Sequence, residues 1–368
     1  MTKRAFAYKL VGKKINRNIR KRININGRLL YPQRRQQKGA SMNQEKTENR
    51  IPFVTKPVSR IFFGTAIDPL LAGQDQDELL DAVIESGINT LDMARNYQKA
   101  ETVVGRWMKK RGCRDQLVLL SKCGHPTAFG RKRVSERDIR EDYEKTAEAL
   151  GTSYIDIYLL HRDDPDVPVG EIVELFNAMH QEGKIGAFGG SNWTYQRISE
   201  ANAYAKAHNL IPFSVSSPNF GLAEQVEDLW GGGCVSISGP EQAEARAWYR
   251  KENMPIVAYS SLGRGLFSGR VTYQERDKAS KVMDKFAMKG YACPQNFERL
   301  RRCEILAEKK GVSVSQIALR WIFTQDLNTY AVIGTGNPSR MTQNLNALNI
   351  PMTKEEAEYL NLERDGLQ

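Results

Sequence analysis

From residue 58 onward, short apolar runs alternate with longer segments in which apolar residues recur at helical spacing. Strand-like runs fall at residues 58–66, at a run from 88 that stops at Asp92, and at 117–122, 154–160, 184–190, 213–217, 255–260 and 330–334. Amphipathic helices are predicted between them at 76–86, 100–110, 136–150, 170–181, 194–208 and 241–251. Glycines at 87, 112, 151 and 183 stand just past four of these helices, where a C-terminal cap favours them. Two more helices, 295–310 and 315–324, precede the eighth strand, and helices at 338–348 and 354–363 follow it.

Eight strand–helix units in an unbroken series predict a (β/α)8 TIM barrel with long loops at its C-terminal face. The strand runs are short and rarely alternate, as expected when both faces are covered. An open doubly wound sheet would carry a glycine fingerprint after the first strand. Here that strand runs into Gly64-Thr65-Ala66-Ile67-Asp68-Pro69, which is no such fingerprint. A glycine-rich stretch does follow the seventh strand, Gly263 to Gly269. It reads as a loop covering a cofactor or substrate at the top of the barrel, although a flexible surface loop accounts for its composition nearly as well.

The net charge of +11 changes this picture less than it first suggests. Thirteen of the 54 basic residues and none of the 43 acids lie in residues 1–41, leaving 41 basic against 43 acidic residues in the rest. The basicity belongs to a tail, and residues 42–368 form a near-neutral body read as one barrel domain. The tail could be a basic arm for nucleic acid or membrane, or an acid-poor transit peptide. The favoured expectation is that it is disordered or not translated natively, with the start at Met42. Native peptides from residues 1–41 in a mass spectrum would refute that. No apolar run is long enough to span a bilayer. The five cysteines, Cys113, Cys123, Cys234, Cys293 and Cys303, have no zinc or disulfide spacing, so a reducing cytoplasmic compartment and no metal site are expected. Neither a nucleic-acid nor a membrane partner is expected of the body, and the oligomeric state is left open.

Candidate chemistry gathers at strand ends. Asp92 ends the second strand and Tyr97 follows in its loop. Lys122 ends the third strand, and His161 follows the fourth. In a barrel, C-terminal strand ends share one face, so these four would meet there. Each alone has a plainer reading: a structural ion pair for Asp92–Lys122, a surface aromatic for Tyr97, a core or capping histidine for His161. Their joint order resembles the catalytic tetrad of the aldo-keto reductases, of the bacterial type. So do the segments Ser191-Asn192-Trp193, Val257-Ala258-Tyr259-Ser260-Ser261-Leu262-Gly263 and Ile333-Gly334-Thr335-Gly336-Asn337-Pro338-Ser339-Arg340. The resemblance extends over about residues 58–350.

That resemblance implies an NADP(H)-dependent reductase of aldehydes, ketones or sugars, or the reverse reaction, by direct hydride transfer. Tyr97 would be the general acid, its phenol pKa lowered by the Lys122 ammonium that Asp92 holds in place. His161 would donate to the developing oxyanion. Ser191 and Asn192 would contact the nicotinamide carboxamide, Ser217 would replace a glutamine common there, and Tyr259 would stack on the ring. Gly334, Thr335 and Arg340 would receive the adenosine phosphate, with Gln343 and Asn344 at the adenine edge. NADP(H) is favoured over NAD(H) on Arg340, although Gly334 stands where some members have lysine. Trp193, His125, Phe129 and loops 222–239 and 262–270 are expected to line the substrate pocket. The strand pair that often plugs the barrel floor in this family is not evident, unless 51–54 is its remnant. Two other readings remain: an NADPH-sensing accessory subunit of the kind that potassium-channel β subunits represent, and a Schiff-base aldolase using Lys122.

Overall fold

The computed structural model describes residues 50–367; the expectations for residues 1–41 lie outside them. Eight parallel strands close into a barrel in sequence order. They are β1 (Ile61–Gly64), β2 (Thr90–Asp92), β3 (Val118–Cys123), β4 (Ile155–Leu160), β5 (Ile185–Ser191), β6 (Val215–Ser217), β7 (Ile256–Ala258) and β8 (Thr329–Ile333). β8 pairs back onto β1, with Ile61 opposite Ala331. The barrel fold is therefore as the alternation predicts.

The two faces of each strand feed two cores. Phe62, Val118, Leu120, Ile157, Leu159, Ala187, Val215 and Val257 fill the barrel interior. The outward residues, such as Leu119, Tyr158 and Phe188, pack under the helices. Burial on both faces explains why the strands read as continuous apolar runs. Ile51, Val54 and Val58 join the interior cluster from the segment ahead of β1. Among the described residues ahead of β1 no strand pair forms: Val54 N–H donates to Ile51 O, and Phe53 adopts φ 65° in a turn. That turn closes the floor, where Lys56 and Arg114 each lie 2.8 Å from the buried Asp156 carboxylate.

Helices follow the expected positions closely, with Glu136–Leu150 as predicted. The stretch after β7 is more ordered than its composition suggests. It holds a helix, Lys285–Tyr291, capped by the Asp284 side chain. A second short helix, Asp68–Leu71, follows β1.

Strand closeness sets one strict requirement. A Cβ on Gly189 in β5 would lie 1.8 Å from the Val215 carbonyl oxygen in β6, so only glycine lets these strands pair. Gly189→Ala is expected to cost about 3 kcal/mol or more, because backbone rather than a flexible side chain must move. Urea unfolding monitored by circular dichroism would measure it.

Candidate active site

The C-terminal ends of the strands open into a cleft of about 900 Å³. Asp92, at the end of β2, and Lys122, in β3, are both nearly inaccessible. Lys122 Nζ donates to Asp92 Oδ1 at 2.6 Å and to the Met93 carbonyl at 2.8 Å. β2 continues to pair after Asp92, since Met93 N–H donates to Leu120 O and Arg95 N–H to Lys122 O. The chain then turns, with Tyr97 N–H donating to Ala94 O, and the phenol folds back over the lysine. Lys122 Nζ lies 5.1 Å from the Tyr97 ring centroid. An ion pair between Arg95 and Glu101 braces this turn, and Glu101 also accepts from Ser121 and Thr146. His161, just past β4, meets Tyr97 edge-on at 5.8 Å and His125 at 5.0 Å between centroids. The four predicted residues thus converge on one wall of the cleft.

The electrostatics differ from expectation at one point. Burial pushes the Tyr97 phenol above its ordinary pKa, and the Lys122 ammonium only partly opposes this. The lowered phenol pKa is therefore corrected: desolvation of a phenolate outweighs one neighbouring cation. A phenol kept neutral is still a proton donor. Burial would strip the proton from Lys122, but the Asp92 carboxylate and Tyr97 beside it outweigh this, and the ammonium is held above the ordinary lysine value. Burial raises the Asp92 carboxyl, with Lys122 opposing. His161 is driven well below the usual histidine range by burial, then by Lys122, His125 and Arg162. It is a neutral imidazole, and its Nδ1 is buried without a hydrogen-bond partner.

The other half of the cleft lies at the ends of β5, β7, β8 and β1. Asn192 adopts φ 58°. Its Oδ1 accepts from the Tyr259 hydroxyl at 2.7 Å, which fixes that ring in the cleft wall. Ser191 Oγ donates to Ser217 O. Ser217 itself does not line the cleft: its hydroxyl donates to Val257 O at 2.8 Å, turned toward β7. Its expected side-chain contact with a cofactor is corrected to a backbone role, since its carbonyl also accepts from Asn192 N–H.

Past β8, Gly334, Thr335 and Gly336 lead to the helix Pro338–Leu345, capped by Asn337. A Cβ on Gly334 would lie 3.0 Å from both Gly64 O and Ile67 Cγ2, so the bare backbone shapes a narrow floor. Arg340, Gln343 and Asn344 border the cleft there. Ser313 and Ser315 also border it, ahead of and within the helix Val314–Thr324, and Ser315 Oγ donates to Asn344 Oδ1. These serines escape sequence reasoning because Ser-Val-Ser before an apolar run reads as a helix cap. Arg264 and Arg270 bring the glycine-rich loop into the cleft, as expected for a covering loop.

Two expected pocket residues are elsewhere. Trp193 is fully buried, packed on Phe213 at 5.1 Å and under the Arg197 guanidinium at 5.5 Å. It folds back against Gly190, where a Cβ would lie 2.4 Å from its ring. Phe129 is 99 % exposed on the loop after β3 and does not line the cleft. His125 does, and so does Trp230, from the long loop after β6.

Comparison with known proteins agrees with the geometry. The family model described as "Aldo/keto reductase family" matches residues 61–362. An aldo-keto reductase of Bacillus subtilis is 28% identical over 297 residues, covering 77% of this chain and 83% of its own. An aryl-alcohol dehydrogenase of Pestalotiopsis microspora is 25% identical over 295 residues, covering 77% and 71%. In structure, the glycerol dehydrogenase of Gluconobacter oxydans superposes with a TM-score of 0.66 at 23% identity, covering 85% of this chain and 93% of that one. Among the described residues, no helix is long and apolar enough to cross a membrane.

Proposed function

Since the chain belongs to the aldo/keto reductase family and is an oxidoreductase, we propose that it reduces an aldehyde or ketone with NADP(H), or runs the reverse reaction. The convergence of Asp92, Tyr97, Lys122 and His161 on one cleft wall is the observation that carries this reading. The bound nicotinamide would supply or accept the hydride. Tyr97 donates a proton to the substrate oxygen, where its half-buried neutral phenol is a competent acid. Lys122 stabilises the phenolate that remains, and Asp92 keeps Lys122 charged and aimed. Neutral His161 donates a hydrogen bond to the same oxygen.

The cleft suits a dinucleotide. The Gly334 floor admits a close approach, Tyr259 offers a fixed aromatic face, and Arg340 has no ion-pair partner among the described residues. Arg340, Thr335 and the N-terminus of Pro338–Leu345 would hold the adenosine phosphate, with Gln343 and Asn344 beside the adenine. NADP(H) is favoured on this ground. The ion pair at Lys122 disfavours the aldolase alternative, because a Schiff-base lysine must shed its proton.

The test follows loss of NADPH absorbance across a panel of aldehydes, ketones and sugars. Turnover supports the reading; tight NADPH binding without turnover on any of them would favour a cofactor sensor instead. Arg340→Ala is expected to raise KM for NADPH by about 10- to 100-fold, the loss of a charge-assisted hydrogen bond, with a smaller change for NADH. Equal effects on both cofactors would remove the 2′-phosphate assignment.

A further inference from the structure

Arg162 immediately follows His161 and lines the same cleft. It is half-buried, yet it pairs with no carboxylate among the described residues. The acids near it in sequence and space are committed elsewhere. Asp163 pairs with Arg197 at 3.2 Å, and Asp164 with Lys132. Asp228 accepts from the backbone N–H groups of Trp230 and Cys234, at 2.8 and 2.7 Å. The hydrogen bonds that Arg162 does make are long: 3.5 Å to the His161 carbonyl and 3.8 Å to Cys234 Sγ. A guanidinium has five donors, so most of its capacity is unspent. Its face is supported by Trp230, whose ring centroid is 5.7 Å away. Such a stack orients a guanidinium at low cost and leaves its edge for a planar anion.

The position of Arg162 sets it apart from the phosphate end of the proposed cofactor site, although Asn192 Nδ2 donates to the same His161 carbonyl. Arg340 follows β8 and Arg162 follows β4, and in the closed ring these strands are four apart in either direction. The dinucleotide phosphates proposed for the β8 side therefore leave Arg162 free, on the far side of Tyr97 and His161. Arg264 lies 5.5 Å from the other cation's tryptophan, but it is already paired with Asp284 at 2.8 Å. Among the described residues, Arg162 stands beside the tetrad with no carboxylate partner.

We propose that Arg162 is an anion receptor, so that the carbonyl substrate carries a carboxylate or phosphate group that docks on it while the reacting oxygen meets Tyr97 and His161. The inference rests on the reductase reading of the same cleft and narrows its substrate class.

The test uses two matched pairs: 4-carboxybenzaldehyde against 4-carbamoylbenzaldehyde, and glyceraldehyde 3-phosphate against glyceraldehyde. In at least one pair the anionic member is expected to have the higher kcat/KM, by about 10- to 100-fold. The pair that shows it distinguishes carboxylate from phosphate. Arg162→Gln should collapse that ratio toward one through KM, and Arg162→Lys should restore part of it. No preference in either pair, or a preference that survives Arg162→Gln, overturns the proposal. Calorimetric titration of the NADP-loaded protein with 4-(hydroxymethyl)benzoate and with glycerol 3-phosphate gives a readout free of turnover. Anion binding that needs Arg162, with no turnover on any carbonyl, would keep the receptor and remove the reductase reading. Turnover of neutral carbonyls with no anion binding would do the opposite.

Discussion

Replacing Tyr97 with phenylalanine is expected to lower kcat by about 10³-fold while leaving the affinity for NADPH within a fewfold of wild type. The substitution removes one oxygen and keeps the ring. The ring packs edge-on against His161 and lies beside the Lys122 ammonium, so the cleft wall keeps its shape. What disappears is the half-buried phenol in contact with Lys122. His161 cannot substitute as the acid, because burial and three nearby cationic or ionisable neighbours keep its imidazole neutral. Rates of NADPH oxidation and cofactor binding by fluorescence, measured on the same preparations, check this. If both fell together, Tyr97 would be shaping the cofactor site rather than supplying the proton. An unchanged kcat would take the proton donor elsewhere and undo the tetrad assignment.

The barrel and most of this wall were legible in the chain because both follow from local rules. Strands buried on two faces must be apolar throughout, and strand ends in a barrel share one face. Asp92, Lys122 and His161 could be placed from those rules alone. What escaped depends on directions that a one-dimensional pattern does not carry. Ser217 and Trp193 both stand at strand ends, yet one side chain turns to β7 and the other folds back onto Gly190. Arg162 carries no signature in the chain, because a charged residue after a strand ordinarily reads as solvated. Its interest lies in missing a partner, which only the positions of Asp163, Asp164 and Asp228 reveal. The rise in the Tyr97 pKa likewise needed the depth of burial as well as the neighbouring charge.

Lys122→Met should destabilise the fold by about 3–5 kcal/mol, besides abolishing activity, because it leaves Asp92 buried without its counter-charge. The loss should depend on pH in a definite sense. Burial already raises the Asp92 carboxyl above the unfolded value of about 3.9, and removing the ammonium that opposes this raises it further. A carboxyl whose folded pKa is raised imposes no penalty below its unfolded pKa, and the penalty grows as pH climbs from there to the folded value. The mutant should therefore approach wild-type stability in acid and fall away toward neutral pH. The double variant Asp92→Leu with Lys122→Met removes both charges together, and most of the lost stability should return. Its activity should not, because the phenolate of Tyr97 would still lack its ammonium. Urea midpoints for the single and double variants across that pH range, beside their turnover numbers, separate the two roles of the pair. Stability that stayed low in the double variant would mean the Lys122 hydrogen bond to Met93 O, rather than the ion pair, braces this end of the barrel.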